Sequence, residues 1–191
     1  MARKASMIDV QKLENDYAKD IERLNRMSRN ILTMNAVEYA YTRLMALKFE
    51  ATMEFFLEVE ALTTGLVVSY GRMFTGSDGT TKLKESKIPG DLRATHKELM
   101  ELRHERHAHH GAHPSMSSKV SLIPESNCVV LNHQMQIGFW VGAAKHWAPL
   151  FAWLRGFIYE VINDLLRHIS EKSGVTWRMA QGPAPDWTVS R

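Results

Sequence analysis

A single cysteine, Cys128, leaves no disulfide available within the chain. That excludes the cross-linked frameworks of small secreted domains and gives no sign of an oxidising compartment. Long apolar runs are missing too. The longest, Val141 to Leu154, is divided by Lys145 and His146, and no segment reaches the roughly 20 apolar residues that a membrane span needs. Met1 to Val10 lack the apolar stretch of a secretory signal. Charge of one sign is also scarce: the net charge is +3, and Lys and Arg form local clusters. The continuous basic stripe of many nucleic-acid binders is absent, although a mild positive charge permits an anionic partner. The expectation is a cytoplasmic protein with no membrane partner.

What is present is ordinary for a globular chain, 45% hydrophobic and 24% charged. A length of 191 residues suits one domain with appendages, able to bury about 70% of its unfolded surface. Residues 8 to 30 repeat Leu13, Tyr17, Ile21 and Leu24 at helical spacing, so residues 1–34 read as an N-terminal amphipathic helix. Residues 35 to 74 contain no proline and carry a long helical pattern from Tyr41 to Tyr70. As one rod they would measure about 60 Å, so a break near Thr52 or Gly65 is expected.

Thr75 to Lys87 reads as a loop, and Asp91 as the cap of a helix holding Leu92, Leu99, Met100 and Leu102. Gly111 and Pro114 end that helix. Residues 118–139 predict a β-hairpin turning at Pro124 to Asn127. Trp147 to Lys172 predicts a last helix with Pro149 in its first turn and Gly174 after its end. Residues 173–191 read as an irregular tail in which Trp177 or Trp187 packs back. The fold class is therefore all-α: an up-and-down bundle of four or five helices, the N-terminal one included, with residues 35–172 as the bundle domain and a small inserted hairpin.

Five of the nine histidines fall between His104 and His113, beside Arg103 and Arg106. On a regular helix His96, Met100, Arg103, His107 and His110 share one face. Arg103 lies at the edge of the Leu99 and Leu102 face, where a guanidinium needs a partner or a cleft. His109 lies about 120° round from Arg103 and joins it if the helix unwinds or across a dimer axis. A fixed cation beside a group that titrates near neutral pH suits work on a phosphate.

Metal patterns fit less well. His104-Glu105 is followed by His107, one residue short of the zinc-protease spacing. Glu101 to His104 is one E-x-x-H motif, and a di-metal site needs a second. A looser set of His104, His107, His110 and His113 is opposed by the two arginines, so no metal and no cofactor is expected. A plainer reading stands beside these: histidines at a helix end interact well with its dipole, and the arginines suit Glu98, Glu101 or Glu105 as partners.

At these residues the chain resembles the HEPN superfamily. Its motif is Arg, four to six residues, then His, with a polar residue after the arginine. Arg103 to His109 fits with five intervening residues. The wider frame is similar to an abortive-infection-type bacterial branch, in His96, Leu99, Leu102, Arg103, Ala108 and His109 and in Tyr70-Gly71-Arg72-Met73-Phe74. His104 stands where asparagine is usual, and His110-Gly111 replaces a Ser/Thr-Asp.

The resemblance covers about residues 35 to 170. It implies a bundle that dimerises, with two motifs meeting at the dimer cleft. It implies a metal-independent endoribonuclease leaving a 2′,3′-cyclic phosphate, possible roles as a toxin or phage-defence component, and an antitoxin or defence protein as partner. Arg103 and His109 are the expected catalytic pair. His104, His110, His107 and Arg72 are expected to contact RNA, with His110 competing with His109 as the titrating group. Many superfamily members are inactive, so the alternative is a non-catalytic dimeric module binding nucleotide, RNA or protein. Tyr70, Trp147 and Trp153 are expected in the packing, and His133 and His168 as structural or surface residues.

Overall fold

A computed structural model describes residues 8–76, 79–107, 115–138 and 143–179. Among them are five α-helices and one two-stranded antiparallel sheet. A short helix α1 (Val10–Asp16) is capped by the Asp9 carboxylate, which accepts from the Lys12 amide. After Tyr17 the chain enters α2 (Ala18–Ala46), which runs through position 34. The expected N-terminal helix and the first part of the long pattern are therefore one element. Met27, Asn30, Met34, Val37, Ala40 and Leu44 recur every three or four residues and are all buried, so a single apolar stripe carries the helix across.

The break falls where it was expected. Leu47 to Ala51 are extended or irregular, and the Thr52 hydroxyl accepts from the Phe55 amide to start α3 (Met53–Thr75). No break occurs at Gly65, since α3 runs through it. Gly76, with φ of 78°, ends α3 in a conformation that favours glycine.

The next helix differs from its expected start. Gly90 to Leu92 form a 3-10 turn, α4 (Arg93–Leu102) begins after it, and no side chain caps it. The Asp91 cap is thus not formed. The hairpin is β1 (Met116–Pro124) paired with β2 (Val129–Ile137), closed by the Glu125 amide on the Cys128 carbonyl. Helix α5 (Ala148–Ser173) has Pro149 in its first turn and Gly174 in the left-handed conformation after it. Trp177 folds back, its amide on Ser170 Oγ and its ring edge-on to Tyr17.

Helices α2, α3 and α5 share one apolar core, built from residues such as Met34, Leu44, Leu66, Tyr70, Leu154 and Ile158. Trp147 is buried in it, as expected, with its indole N–H on Glu98. None of the described helices is long and apolar enough to cross a membrane. The hairpin is more apolar on one face than on the other, which carries Ile123 and Val130. Val120, Leu122, Leu131, Val129 and Met135 share the more apolar face by the strand register, and each is more than half exposed.

Candidate functional site

The helix carrying the histidine cluster does not stay regular. After Leu102 it opens into a π turn over Arg103–His107. Such turns carry one extra residue per hydrogen bond and often stand at functional sites. The turn lies along α3, against Glu60, Thr64 and Gly71. These residues are four and seven apart and so share one side of the helix.

Arg106 is consumed by this packing. Its side chain is 0% exposed, and its Nη2 lies 2.6 Å from a Glu60 carboxylate oxygen. Nη1 donates to Ser115 Oγ, which sits at the root of β1. His107 is held in the same way. Its ring is 1% exposed, with Nδ1 2.8 Å from Thr64 Oγ1 and 3.6 Å from Glu60 Oε1. Its contacts among the described residues are thus structural.

Arg103 is placed differently. Its side chain crosses α3 at Gly71, where a Cβ would stand 2.0 Å from Arg103 Cδ and 2.8 Å from Nε. Only glycine admits the guanidinium stem at that point. Nε is buried without a hydrogen-bond partner, and Nη1 lies 3.4 Å from His104 Nδ1. No carboxylate pairs with Arg103 among the described residues. Exposed His104 lines a cleft of about 600 Å³ with Arg93, Lys97, His96, Met100, Glu85 and Ser86. This cleft carries more basic than acidic side chains.

His96 is the buried wall of that cleft. The Tyr70 hydroxyl stands 2.7 Å from its Nδ1, and Glu85 is 3.7 Å from Nε2. Burial, with the Glu85 charge adding to it, pushes the Tyr70 hydroxyl far up, so it stays protonated and donates to Nδ1. Burial pushes His96 below its ordinary value of 6.5, although Glu85 pulls the other way. Below the unfolded value of about 6.5 the unfolded chain takes up a proton that native His96 declines, so stability falls with the pH. The His96 imidazole is expected to titrate below 6.5 by NMR, and the unfolding midpoint to drop between pH 7.5 and 5.5. A midpoint above 6.5 would show that Glu85 outweighs burial.

Of the expected site residues, the structure brings Arg103, His104 and His107 onto one side of α3 or its rim. Arg72 is exposed, one residue beyond Gly71. His109 and His110, like His113, lie outside the described residues. No group of three potential metal-ligating side chains occurs among the described residues. Sequence reasoning missed Glu60 and Thr64, and named Gly71 only as part of the Tyr70 to Phe74 segment. Their helical spacing was visible, but nothing in it named the π turn as the partner. Searches of protein-family models, of curated proteins and of solved structures find no match to this chain.

Proposed function

We propose that this chain is a HEPN-type, metal-independent endoribonuclease, an up-and-down helical bundle acting as a dimer in a toxin or phage-defence setting. One observation carries the reading. Of the two arginines in the cluster, Arg106 is neutralised by Glu60, whereas Arg103 passes over Gly71 without a carboxylate among the described residues. A half-buried guanidinium with no acid partner among the described residues is suited to a phosphate, which it can grip with two parallel N–H groups. The basic cleft beside His104 supports the same reading.

The chemistry follows from RNA itself. The 2′-hydroxyl oxygen attacks the adjacent phosphorus and gives its proton to a base, while the P–O5′ bond breaks and O5′ receives a proton. His109 is the acid or base, because an imidazole titrates near working pH, and His110 is its competitor. Arg103 stabilises the charge on the non-bridging oxygens. His104 orients the phosphate and Arg72 extends the contact, while the enclosed His107 holds the turn that carries Arg103 and His104. The products are a 2′,3′-cyclic phosphate and a 5′-hydroxyl.

Incubation with single-stranded RNA in EDTA is expected to yield those two ends, and Arg103→Ala and His109→Ala to abolish them. No cleavage by the unaltered chain, or equal cleavage by both variants, would remove the enzyme. A second reading, a non-catalytic module that binds RNA or a protein partner, is favoured by the structural use of Arg106 and His107. It predicts motif variants that change binding alone.

A further inference from the structure

A second cavity, of about 730 Å³, lies between the first turns of α2 and the segment Thr80 to Lys82. Lys19, Arg23 and Arg26 line it from the helix and Lys82 from the segment, and Glu22 is the one acid of its described lining. The lining therefore carries +3, as much as the whole chain. Taking its four basic residues and one acid from the chain's 24 and 21 leaves 20 of each. The excess charge is gathered here and not spread evenly.

The three helix cations are four and seven residues apart. They fall within about 60° of the helix circumference and span about 10 Å along it. Glu22 holds Arg26 at 2.9 Å, with both side chains about half exposed. Lys19, Arg23 and Lys82 have no ion-pair partner among the described residues. The facing wall is anchored to the bundle. Gly79, with φ of 100°, offers its carbonyl to Arg29 Nη1 at 3.0 Å. The Thr81 carbonyl accepts from fully buried Asn30 at 2.8 Å, and the amide of buried Leu83 donates to the Met73 carbonyl at 2.8 Å. Lys82 stands between these last two anchors, so its backbone is held opposite α2. Like charges kept this way repel one another, and an anion between them relieves the repulsion.

The chemistry of the anion follows from the lining. The arginine fork matches phosphate oxygens, and lysine binds them as a point charge. One phosphate cannot reach both ends of a row about 10 Å long, whereas a run of linked phosphates can. A base would need an aromatic or apolar platform, and Ala18 is the one apolar residue of the described lining. We propose that this cavity is a binding site for a short inorganic polyphosphate, read by its charge and spacing alone. It contains none of Arg103, His104 and His109, so it stands apart from the endoribonuclease reading.

Calorimetry on the full chain in EDTA is expected to show one tripolyphosphate bound per chain. Binding is expected to be about tenfold or more tighter than that of orthophosphate, because the linked groups engage together. It is expected to be at least as tight as that of ATP at equal ionic strength, and to weaken as salt rises. Arg23→Ala and Lys82→Ala are each expected to weaken it about fivefold, with unchanged circular dichroism, since both side chains are exposed and unpaired. Glu22→Gln removes the acid and is expected to tighten binding about twofold, a gain that a damaged fold does not give. Arg103→Ala is expected to bind as the unaltered chain does. A margin over orthophosphate below tenfold, tighter binding of ATP, or a Glu22→Gln chain that binds no better overturns the proposal. So does loss of binding in Arg103→Ala, which would move the ligand to the other cleft. Single-stranded RNA that displaces tripolyphosphate at a lower concentration of phosphate groups would give the cavity to a nucleic acid and overturn it too.

Discussion

Glu60→Ala is expected to destabilise the fold by about 3 kcal/mol, more than a hundredfold in the folding equilibrium. Removing one member of a buried ion pair costs about 3–5 kcal/mol, because the remaining buried charge loses the opposite charge that offset its desolvation. Here that charge is Arg106, whose side chain is fully enclosed. The lower end of the range applies because Glu60 is 30% exposed, so water can enter the space it vacates. The loss reaches further than the pair. Glu60 also stands against His107, and Arg106 ties the π turn to Ser115 at the foot of the hairpin.

The direction of the asymmetry makes the test specific. Arg106→Met removes the enclosed charge and leaves a carboxylate that water can reach, so it is expected to cost less than Glu60→Ala. Glu60→Gln keeps an acceptor of the same shape and is expected to fall between them. Urea midpoints of the three variants would settle the order. If Glu60→Ala proved the mildest, Arg106 would have a different source of neutralisation.

The helical elements were legible because apolar spacing is a direct consequence of helix geometry. The stripe from Met27 to Leu44, the Thr52 start of α3 and the Gly174 end of α5 are all local signals. The boundary at position 34 does not hold, because the apolar stripe of α2 runs through it on both sides of Asn30. In three dimensions Asn30 is buried, its amide on the Thr81 carbonyl, so the stripe continues through a polar residue satisfied from a distant loop. Asp91 failed as a cap for a related reason: the chain enters α4 through a 3-10 turn, so the helical start has already passed that side chain.

The site divided along the same line. That Arg103 sits at a core edge followed from its spacing to Leu99 and Leu102. Whether the helix stays regular through the cluster was left open by the spacing, because the π turn packs against Glu60, Thr64 and Gly71, more than thirty residues earlier. A periodicity argument sees only neighbours in sequence. The plain reading of the cluster, a polar helix end paired with acids, holds for Arg106 and supplied the right kind of partner from the wrong element: the acid is on α3, not among Glu98, Glu101 and Glu105.

On the proposed endoribonuclease reading, Gly71→Ala is expected to reduce RNA cleavage as much as Arg103→Ala does, by about 100-fold to 1,000-fold, the usual loss on removing one donor from a developing oxyanion. The reason is spatial. A methyl group at position 71 would occupy the place of Arg103 Cδ and press on Cγ at 3.2 Å, so the guanidinium must leave its track across α3. The fold itself gains from the change, since alanine in a helix interior is favoured over glycine by about 0.5–1 kcal/mol. That gain offsets the cost of moving one side chain, and the unfolding midpoint is expected to stay close to that of the unaltered chain. Arg103→Lys keeps the charge but not the two-pronged donor, and is expected to lose at least tenfold. Cleavage and unfolding measured on the same samples separate placement from stability. A Gly71→Ala protein that cuts RNA at the original rate would mean that the position of Arg103 is immaterial, and the phosphate would have to be held elsewhere.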